Sequence, residues 1–207
     1  MEEQDKKSEE KILDAARDVF IEKGFDGARM EEISKKAGIN KALLHYYYRT
    51  KEKLFDSIFD LVMGDFFRDT IAKMSSDAPF FEKIEYFVNA YLTIIMKNPH
   101  IPGFIINELN RNPQRLVSIF EKTPIVKNNA FSKFAKTIQE EVEKGTIEPI
   151  EPEQLIVNII GLCIFPIIAK PILTGIIFKN DKKKYEKFLE SRKQEVSKFV
   201  INAIRKR

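Results

Sequence analysis

The chain has 207 residues, of which 43% are hydrophobic and 32% are charged, and its formal net charge at pH 7 is +4. This composition is typical of a globular protein with a sizeable core, and it excludes disordered and low-complexity chains. The single cysteine, Cys163, excludes an intrachain disulfide, and its apolar surroundings indicate a buried, unreactive thiol.

The N-terminal sequence MEEQDKKSEEK lacks the apolar segment of a signal peptide, so we expect a cytoplasmic protein. A first helix is predicted after Ser8, because Ile12, Ala16 and Phe20 recur at helical spacing. The sequence Gly-Phe-Asp-Gly at 24–27 then ends this helix and turns the chain.

The stretch from Met30 to Lys53 predicts two short helices joined by a sharp turn, followed by the start of a third helix. Gly38 can adopt the left-handed conformation that closes the first of these helices. Asn40 is the expected N-cap of the second helix, and Thr50 is the expected N-cap of the third. This arrangement is the helix-turn-helix pattern, which places its second helix in the major groove of DNA.

The charge around this turn supports a nucleic-acid partner. Residues 33–53 carry an excess of five positive charges, although the whole chain carries only four. Aromatic hydroxyls and an imidazole lie among these cations, as expected of side chains that contact phosphates and sugars. The alternative from the residues alone is a helical protein-interaction module with a solvated basic face, and the salt dependence of DNA binding would separate the two.

The rest of the chain predicts further helices. Residues 54–74 form one long helix with more apolar surface than a small domain could cover, so it is expected to belong to two domains. Apolar periodicity and proline breaks predict helices over about 81–97, 104–112, 114–122 and 124–144. The predicted fold is therefore all-α, with a DNA-binding domain at 1–53 and a larger helical domain at 54–207.

The apolar run at 155–178 is long enough to suggest a transmembrane helix. Asn158, Lys170 and the two prolines Pro166 and Pro171 argue against it, since they place polar groups or free carbonyls in the span. The alternative is a kinked helix pair that lines the core and also meets a second subunit. The last helix, at 182–204, is amphipathic and basic, which leaves membrane-surface binding open as a less favoured alternative.

An enzyme is the remaining alternative, and the sequence gives it no support. His45 lies in the helix-turn-helix, and His100 lies in a proline-flanked loop without a triad-like partner. No GxSxG, P-loop or GxGxxG motif is present, and no set of residues has metal-ligand spacing. We therefore expect no catalytic residue, no metal and no cofactor.

The first fifty or so residues resemble the DNA-binding domain of the tetracycline-repressor (TetR) family of bacterial and archaeal regulators. The matching residues keep the family's spacing without an insertion, at Ile12–Ala16, Phe20, Glu22, Gly24–Gly27, Ile33, Ala37–Lys41, Leu44, Tyr46–Tyr47 and Lys51–Leu54. The resemblance implies a ligand-responsive repressor that binds a palindromic operator as a dimer. It also implies a homodimer formed through the last two helices, at about 153–178 and 182–204.

The resemblance also implies roles for single residues. Lys41, Ala42, Leu43 and His45 occupy the positions that face bases, and phosphates are expected to contact Arg29, Asn40, Tyr46, Tyr47 and Lys51. Lys41 can donate to guanine, whereas Ala42 and Leu43 can offer only apolar contact. Arg29 stands where the family usually has a capping Thr, so the sequence leaves open whether the second helix is capped. His45 could instead be a solvated surface residue, and Tyr48 is expected to pack in the core.

A small hydrophobic effector is expected to bind in the larger domain, in a cavity between the long helix and those that follow. Asn107 or Glu108 could orient such a ligand, because sites of this kind combine apolar walls with a few polar groups. The aromatic and aliphatic residues expected to line the cavity, each of which could equally be plain core, are Phe59, Met63, Phe66, Tyr91, Ile95, Phe104, Phe131 and Phe134.

Overall fold

The computed structural model describes residues 2–207, with side chains from residue 7 onward. Over this range the chain folds into helices and no strand, which confirms the all-α prediction. The helices are α1 (Glu2–Gly27), α2 (Met30–Ala37), α3 (Lys41–Tyr47), α4 (Lys51–Met74), α5 (Phe80–Lys97), α6 (Ile101–Arg111), α7 (Pro113–Lys122), α8 (Pro124–Lys127), α9 (Ala130–Glu143), α10 (Pro152–Ile168), α11 (Lys170–Ile172), a π-helical segment (Leu173–Ile177) and α12 (Lys182–Ile204).

The chain divides into two compact units. Unit 1 comprises the chain up to Asp65 together with Gly103–Ile119, and unit 2 comprises Phe66–Pro102 together with Phe120–Arg207. Helix α4 begins in unit 1 and ends in unit 2, as its apolar surface suggested. This division differs from the predicted boundary at residues 53 and 54, because unit 1 also contains most of α6 and α7.

Unit 1 has a core of aliphatic and aromatic side chains from α1 to α4. Ile12, Ile33, Leu44 and Leu54 are completely buried, so each of the first four helices contributes its apolar face. Tyr48 is also buried, as expected, and its hydroxyl donates to the Glu9 carboxylate at 2.9 Å. Helix α1 begins at Glu2, so the predicted start after Ser8 is wrong.

Helix α1 is interrupted at Gly24, where φ is 71° and ψ is 174°. A side chain would be strained there, and an added Cβ would lie 3.1 Å from Nη1 of Arg111. The turn brings Phe25 into an aromatic cluster, with its ring centroid 5.8 Å from that of Phe20 and 5.3 Å from that of Phe55.

Unit 2 has its core between α5, α10 and α12. Every fourth residue of α10 is buried, at Leu155, Ile159, Cys163 and Ile167. This face meets α5 and α12, whose buried residues follow the same helical period, and the three helices form one continuous hydrophobic cluster. Burial raises the pKa of the Cys163 thiol from 9.0 to about 12, consistent with the expected unreactive thiol.

Proline 166 lies inside α10 and cannot donate to the Leu162 carbonyl, which is thereby left without its helical partner. Arg192 of α12 supplies the missing donor, since its Nη2 lies 2.8 Å from the Leu162 oxygen. The Tyr185 hydroxyl donates to the Pro166 carbonyl at 3.0 Å. Side chains of α12 therefore donate hydrogen bonds to two backbone carbonyls near the break in the apolar run.

One further helix boundary differs from the predictions, and one predicted break is present. The helix predicted over 124–144 is two helices, α8 and α9, because Asn129 adopts a left-handed conformation with φ 51°. The run at 155–178 is broken between α10 and α11, as the kinked alternative predicted. No single helix of the described chain is long and apolar enough to span a membrane, and only the pair Pro152–Ile168 and Lys170–Ile177, bent by 60°, reaches that length and composition.

Candidate nucleic-acid interface

The turn between α2 and α3 has the predicted geometry. Gly38 closes α2 with φ 68°, and its N–H donates to the Lys35 carbonyl. Asn40 begins α3, and its Oδ1 accepts from the Leu43 N–H at 2.7 Å. Leu44 is completely buried, which fixes the rotation of α3 about its axis. Capping and burial together therefore determine which side of α3 faces outward.

The outward side of α3 carries the side chains predicted to contact DNA. Lys41, Ala42 and His45 are exposed, and Tyr46 is 79% exposed, whereas Leu43 is half-buried. The half-buried Tyr47 packs edge-on against Tyr46, with ring centroids 5.5 Å apart. This surface offers a cation, a methyl group, an imidazole and a phenol, which can contact base edges and phosphates.

Arg29 immediately precedes α2 and is exposed. Its backbone is extended, as expected of an N-cap, but its side chain makes no capping hydrogen bond. The cap that the sequence left in doubt is therefore absent from the Arg29 side chain. Its guanidinium lies at a helix N-terminus, where backbone N–H groups and a cation can both contact a phosphate.

Lys51 is predicted to contact a phosphate, but in the structure its side chain binds backbone carbonyls. Its ammonium donates to the backbone carbonyls of Phe25 at 2.7 Å and Ala28 at 3.0 Å, and it lies 4.5 Å from the centre of the Phe25 ring. These bonds tie the start of α4 to the connection between α1 and α2. The geometry favours a structural role for Lys51, since a phosphate contact would require it to leave these carbonyls.

Ion pairs reduce the charge that the interface can offer to DNA. Lys36 pairs with Asp18 at 3.1 Å, and Lys35 pairs with Glu31 at 3.0 Å. The hydrogen bond from Lys35 holds the pKa of the Glu31 carboxyl below its usual value. Lys41, in contrast, makes no salt bridge with any residue that the structure describes, so its charge is available for a partner.

Unit 1 also contains a buried polar contact made by Glu108, a residue that was predicted to orient an effector in the larger domain. Glu108 of α6 is completely buried, where an effector-orienting residue was predicted. Its carboxylate accepts from the Phe25 N–H at 3.0 Å and from Arg115 of α7 at 2.7 Å. Arg115 also donates to Asp26 at 2.8 Å and lies 3.8 Å from the centre of the Phe25 ring.

We call this set of interactions the Glu108–Arg115 contact. It holds Gly103–Ile119 to the turn that precedes α2, so this segment is part of the helix-turn-helix unit. Glu108 lies 83 residues from Phe25 along the chain. The sequence signal was weak, consisting of an acid and a base seven residues apart on consecutive helices.

The residues expected to bind an effector lie in both units. Asn107 is exposed in unit 1, where Phe104 packs against Phe55. Phe59 and Met63 are buried residues of unit 1, and Phe66, Tyr91 and Ile95 are packed in unit 2. Phe131 and Phe134 line an apolar cavity of about 80 Å³ within unit 2. Contact of any of these ten residues with a ligand stays a prediction.

Comparison with known proteins identifies relatives for this arrangement. The family model described as bacterial regulatory proteins, tetR family, matches residues 12–58. The transcriptional regulator RutR of Escherichia coli O157:H7 is 29% identical over 145 residues, which are 70% of this chain and 66% of RutR. The fatty acid metabolism regulator protein of Bacillus subtilis is 23% identical over 172 residues, or 83% of this chain and 84% of that protein.

Solved structures show the same fold. FadR from Bacillus subtilis, a transcriptional regulator solved in complex with stearoyl-CoA, superposes with a TM-score of 0.62 at 17% identity. The superposition covers 92% of this chain and 96% of FadR. The likeness therefore extends from the helix-turn-helix through the helices of unit 2.

Proposed function

The chain belongs to the tetracycline-repressor family of transcriptional regulators, whose members are not enzymes, and we propose that it is a ligand-responsive repressor that binds a palindromic operator as a homodimer. As a regulator of DNA, it would act in the cytoplasm. The observation that carries the proposal is the outward face of α3, where Lys41, Ala42 and His45 are exposed. They lie toward the N-terminal end of α3, which is the part of a recognition helix that contacts base edges.

A dimer would supply the contact area that one short recognition helix lacks. Two-fold symmetry would place two α3 helices over half-sites about 34–36 Å apart on DNA. The surface of unit 2 supports such a dimer, because an apolar stripe runs along the side of α10 and α11 opposite the buried face. Val157, Phe165 and Ile172 on this stripe are each more than 60% exposed. Large exposed stripes of this kind mark protein–protein interfaces.

The regulatory step would be a change in DNA affinity upon binding of a small hydrophobic effector in unit 2. The chain passes between the units three times, at residues 65–66, 102–103 and 119–120. The segment between the last two passages carries the Glu108–Arg115 contact to the helix-turn-helix. An effector that favours one conformation of unit 2 would therefore bias unit 1 through these connections, up to the limit set by its differential affinity.

The test is the binding of the purified protein to its own upstream DNA and to random DNA across a salt series. We expect preferential binding to the upstream DNA and a steep loss of affinity with salt, since bound phosphates release counterions. Lys41→Ala should lower the preference by about 1–3 kcal/mol, the value of one good base contact. Tyr46→Phe should weaken binding to both DNAs equally, because it removes a phosphate contact.

Lys35→Ala is the matched control, since Lys35 is exposed on α2 and already paired with Glu31. It should leave the preference for upstream DNA unchanged. Equal preference in wild type and Lys41→Ala would refute base reading by Lys41. No DNA binding at low salt would overturn the proposed function and favour the protein-interaction alternative.

A further inference from the structure

Thr70 of α4 has a buried hydroxyl without a hydrogen-bond partner. The residue is 5% exposed, and its Oγ1 makes no hydrogen bond with the described residues. A threonine inside a helix can donate to a carbonyl of the preceding turn, as Thr137 of α9 donates to the Lys133 carbonyl at 3.1 Å. A buried hydroxyl that lacks such a bond is costly, so a bound group that supplies one would be favoured.

The Thr70 side chain lines the apolar cavity of about 80 Å³ in unit 2. The walls of this cavity come from α4, α5, α8, α9 and α10, and they include the buried side chains of Ile84 and Ile159. The unsatisfied hydroxyl therefore borders a space that is otherwise almost entirely hydrophobic. This combination of apolar walls and one placed polar group is typical of small-molecule sites.

Lys83 of α5 is the other polar residue that lines this cavity, and its charge already interacts with a carboxylate. The pKa of the Glu141 carboxyl is lowered mainly by a hydrogen bond from Lys144, and the charge of Lys83 contributes to the same shift. A charged ligand would therefore have to compete with Glu141 for Lys83. The Thr70 hydroxyl instead matches a neutral ligand with a single oxygen that forms hydrogen bonds.

The volume of the cavity limits the size of such a ligand. An apolar cavity of about 150 Å³ in another protein binds benzene, which has six non-hydrogen atoms, so a cavity of about 80 Å³ holds roughly three or four. We propose that this cavity binds a short neutral alcohol or ketone of that size, whose oxygen forms a hydrogen bond with the Thr70 hydroxyl. This inference rests on the proposed function, because it names the ligand class of the effector site.

The test titrates the full-length protein, with isotope-labelled isoleucine methyl groups, with propan-2-ol in the absence of DNA. We expect NMR shifts at Ile84 and Ile159 in the cavity, and none at Ile12 and Ile33 in the core of unit 1. The dissociation constant should be no tighter than roughly 40 µM, since so small a ligand makes few contacts. Thr70→Val should weaken binding by about 2- to 10-fold, the value of one neutral hydrogen bond.

Xenon serves as the apolar comparison, because it fills apolar cavities without forming a hydrogen bond. Thr70→Val should not weaken xenon binding. Ala130→Val should weaken the binding of both probes, since Ala130 lines the cavity and the larger side chain would occupy part of it.

Thr123→Val is the matched control, because Thr123 is also buried but lies outside this cavity, and its hydroxyl donates to the Phe120 carbonyl at 2.6 Å. It should bind propan-2-ol as the wild type does and unfold at a lower temperature, since it loses a hydrogen bond. Thr70→Val should unfold without ligand at a temperature equal to or higher than that of the wild type, because no hydrogen bond is lost.

An absence of shifts at Ile84 and Ile159, or equal propan-2-ol affinity of the wild type and Thr70→Val, would overturn the proposal. A separate measurement of DNA affinity in propan-2-ol, with Ala130→Val at the same concentration as the reference, distinguishes the two levels of inference. Binding through Thr70 without a change in DNA affinity would support the site and contradict the ligand-responsive part of the proposed function.

Discussion

Single residues in the helix-turn-helix combine stability with DNA contact in different ways. Asn40 makes a cap bond and also lies at the proposed interface, so its substitution would affect both properties. Arg29 contributes no cap bond, although its backbone has the conformation of an N-cap. The phosphate contact proposed for Arg29 would therefore come without the stabilising hydrogen bond that a capping side chain supplies.

Arg29→Thr should therefore separate stability from DNA binding. We expect the free energy of unfolding to rise by about 0.5–2 kcal/mol, because Thr can accept from the first N–H groups of α2. Affinity for DNA should fall and its salt dependence should become less steep, since one cation is lost. Urea unfolding and a salt series of DNA binding check the two effects, and unchanged stability would contradict the capping argument.

Cys163 offers a second prediction at this scale. Burial raises the pKa of its thiol from 9.0 to about 12, so the native state disfavours the thiolate. The neutral buried thiol therefore favours the folded state. Its contribution to the free energy of unfolding is fully present below pH 9 and declines as the pH rises toward 12. At pH 8 the thiol of the native protein should react very slowly with iodoacetamide, whereas the thiol of the urea-unfolded protein should react rapidly. Equal rates in the two states would show that the native thiol is accessible.

The helical elements of unit 1 are joined by a buried ion pair rather than by apolar packing alone. The Glu108 carboxylate is completely buried, and the Arg115 side chain is 19% exposed. Such a pair is costly to desolvate, and removal of one partner leaves the other charge buried. The pair therefore specifies how α6 and α7 dock on the turn after α1 more than it stabilises the fold.

Arg115→Met should reduce the free energy of unfolding by about 3–5 kcal/mol, because it leaves Glu108 unpaired. The double variant Glu108→Gln with Arg115→Met should be less destabilised than the sum of the single variants. Arg17→Met is the control, since Arg17 forms only an exposed pair with Asp14, and it should change stability by less than about 1 kcal/mol. Additive effects in the urea-unfolding cycle would contradict the coupling.

At the scale of the whole molecule, α10 has apolar residues on two opposite faces. Its face at Leu155, Ile159 and Cys163 is buried in unit 2, while Val157 and Phe165 on the opposite side are exposed. A helix that is apolar on both sides has one face left for the second copy of the chain in the proposed dimer. Apolar residues on both faces also explain why the run at 155–178 is apolar enough to resemble a membrane span.

Phe165→Asp should yield a monomer, because it places a charge in the centre of the proposed interface. Light scattering measures the mass, and DNA affinity should fall because one recognition helix remains for each molecule. Val117→Asp, which changes a 55% exposed residue of unit 1, should leave the mass unchanged. A wild-type protein that is already monomeric would contradict the interface.

The sequence by itself determined the helix-turn-helix, because its signals are local. The closure of α2 at Gly38 and the cap of α3 at Asn40 are each made by hydrogen bonds to residues within four positions along the chain. The kink in the run at 155–178 was also predictable, since proline removes a hydrogen bond wherever it occurs in a helix. The family resemblance covers this same local region.

Only the tertiary structure decided the partners of isolated polar residues. Glu108 is predicted to orient a ligand but binds Phe25 and Arg115, and Lys51 is predicted to bind phosphate but holds two carbonyls. Lys83 has no local feature that distinguishes it from a surface lysine, yet it is buried. The physical reason is the same in each case: the burial and pairing of a charged group depend on segments distant in the chain, which periodicity and capping do not specify.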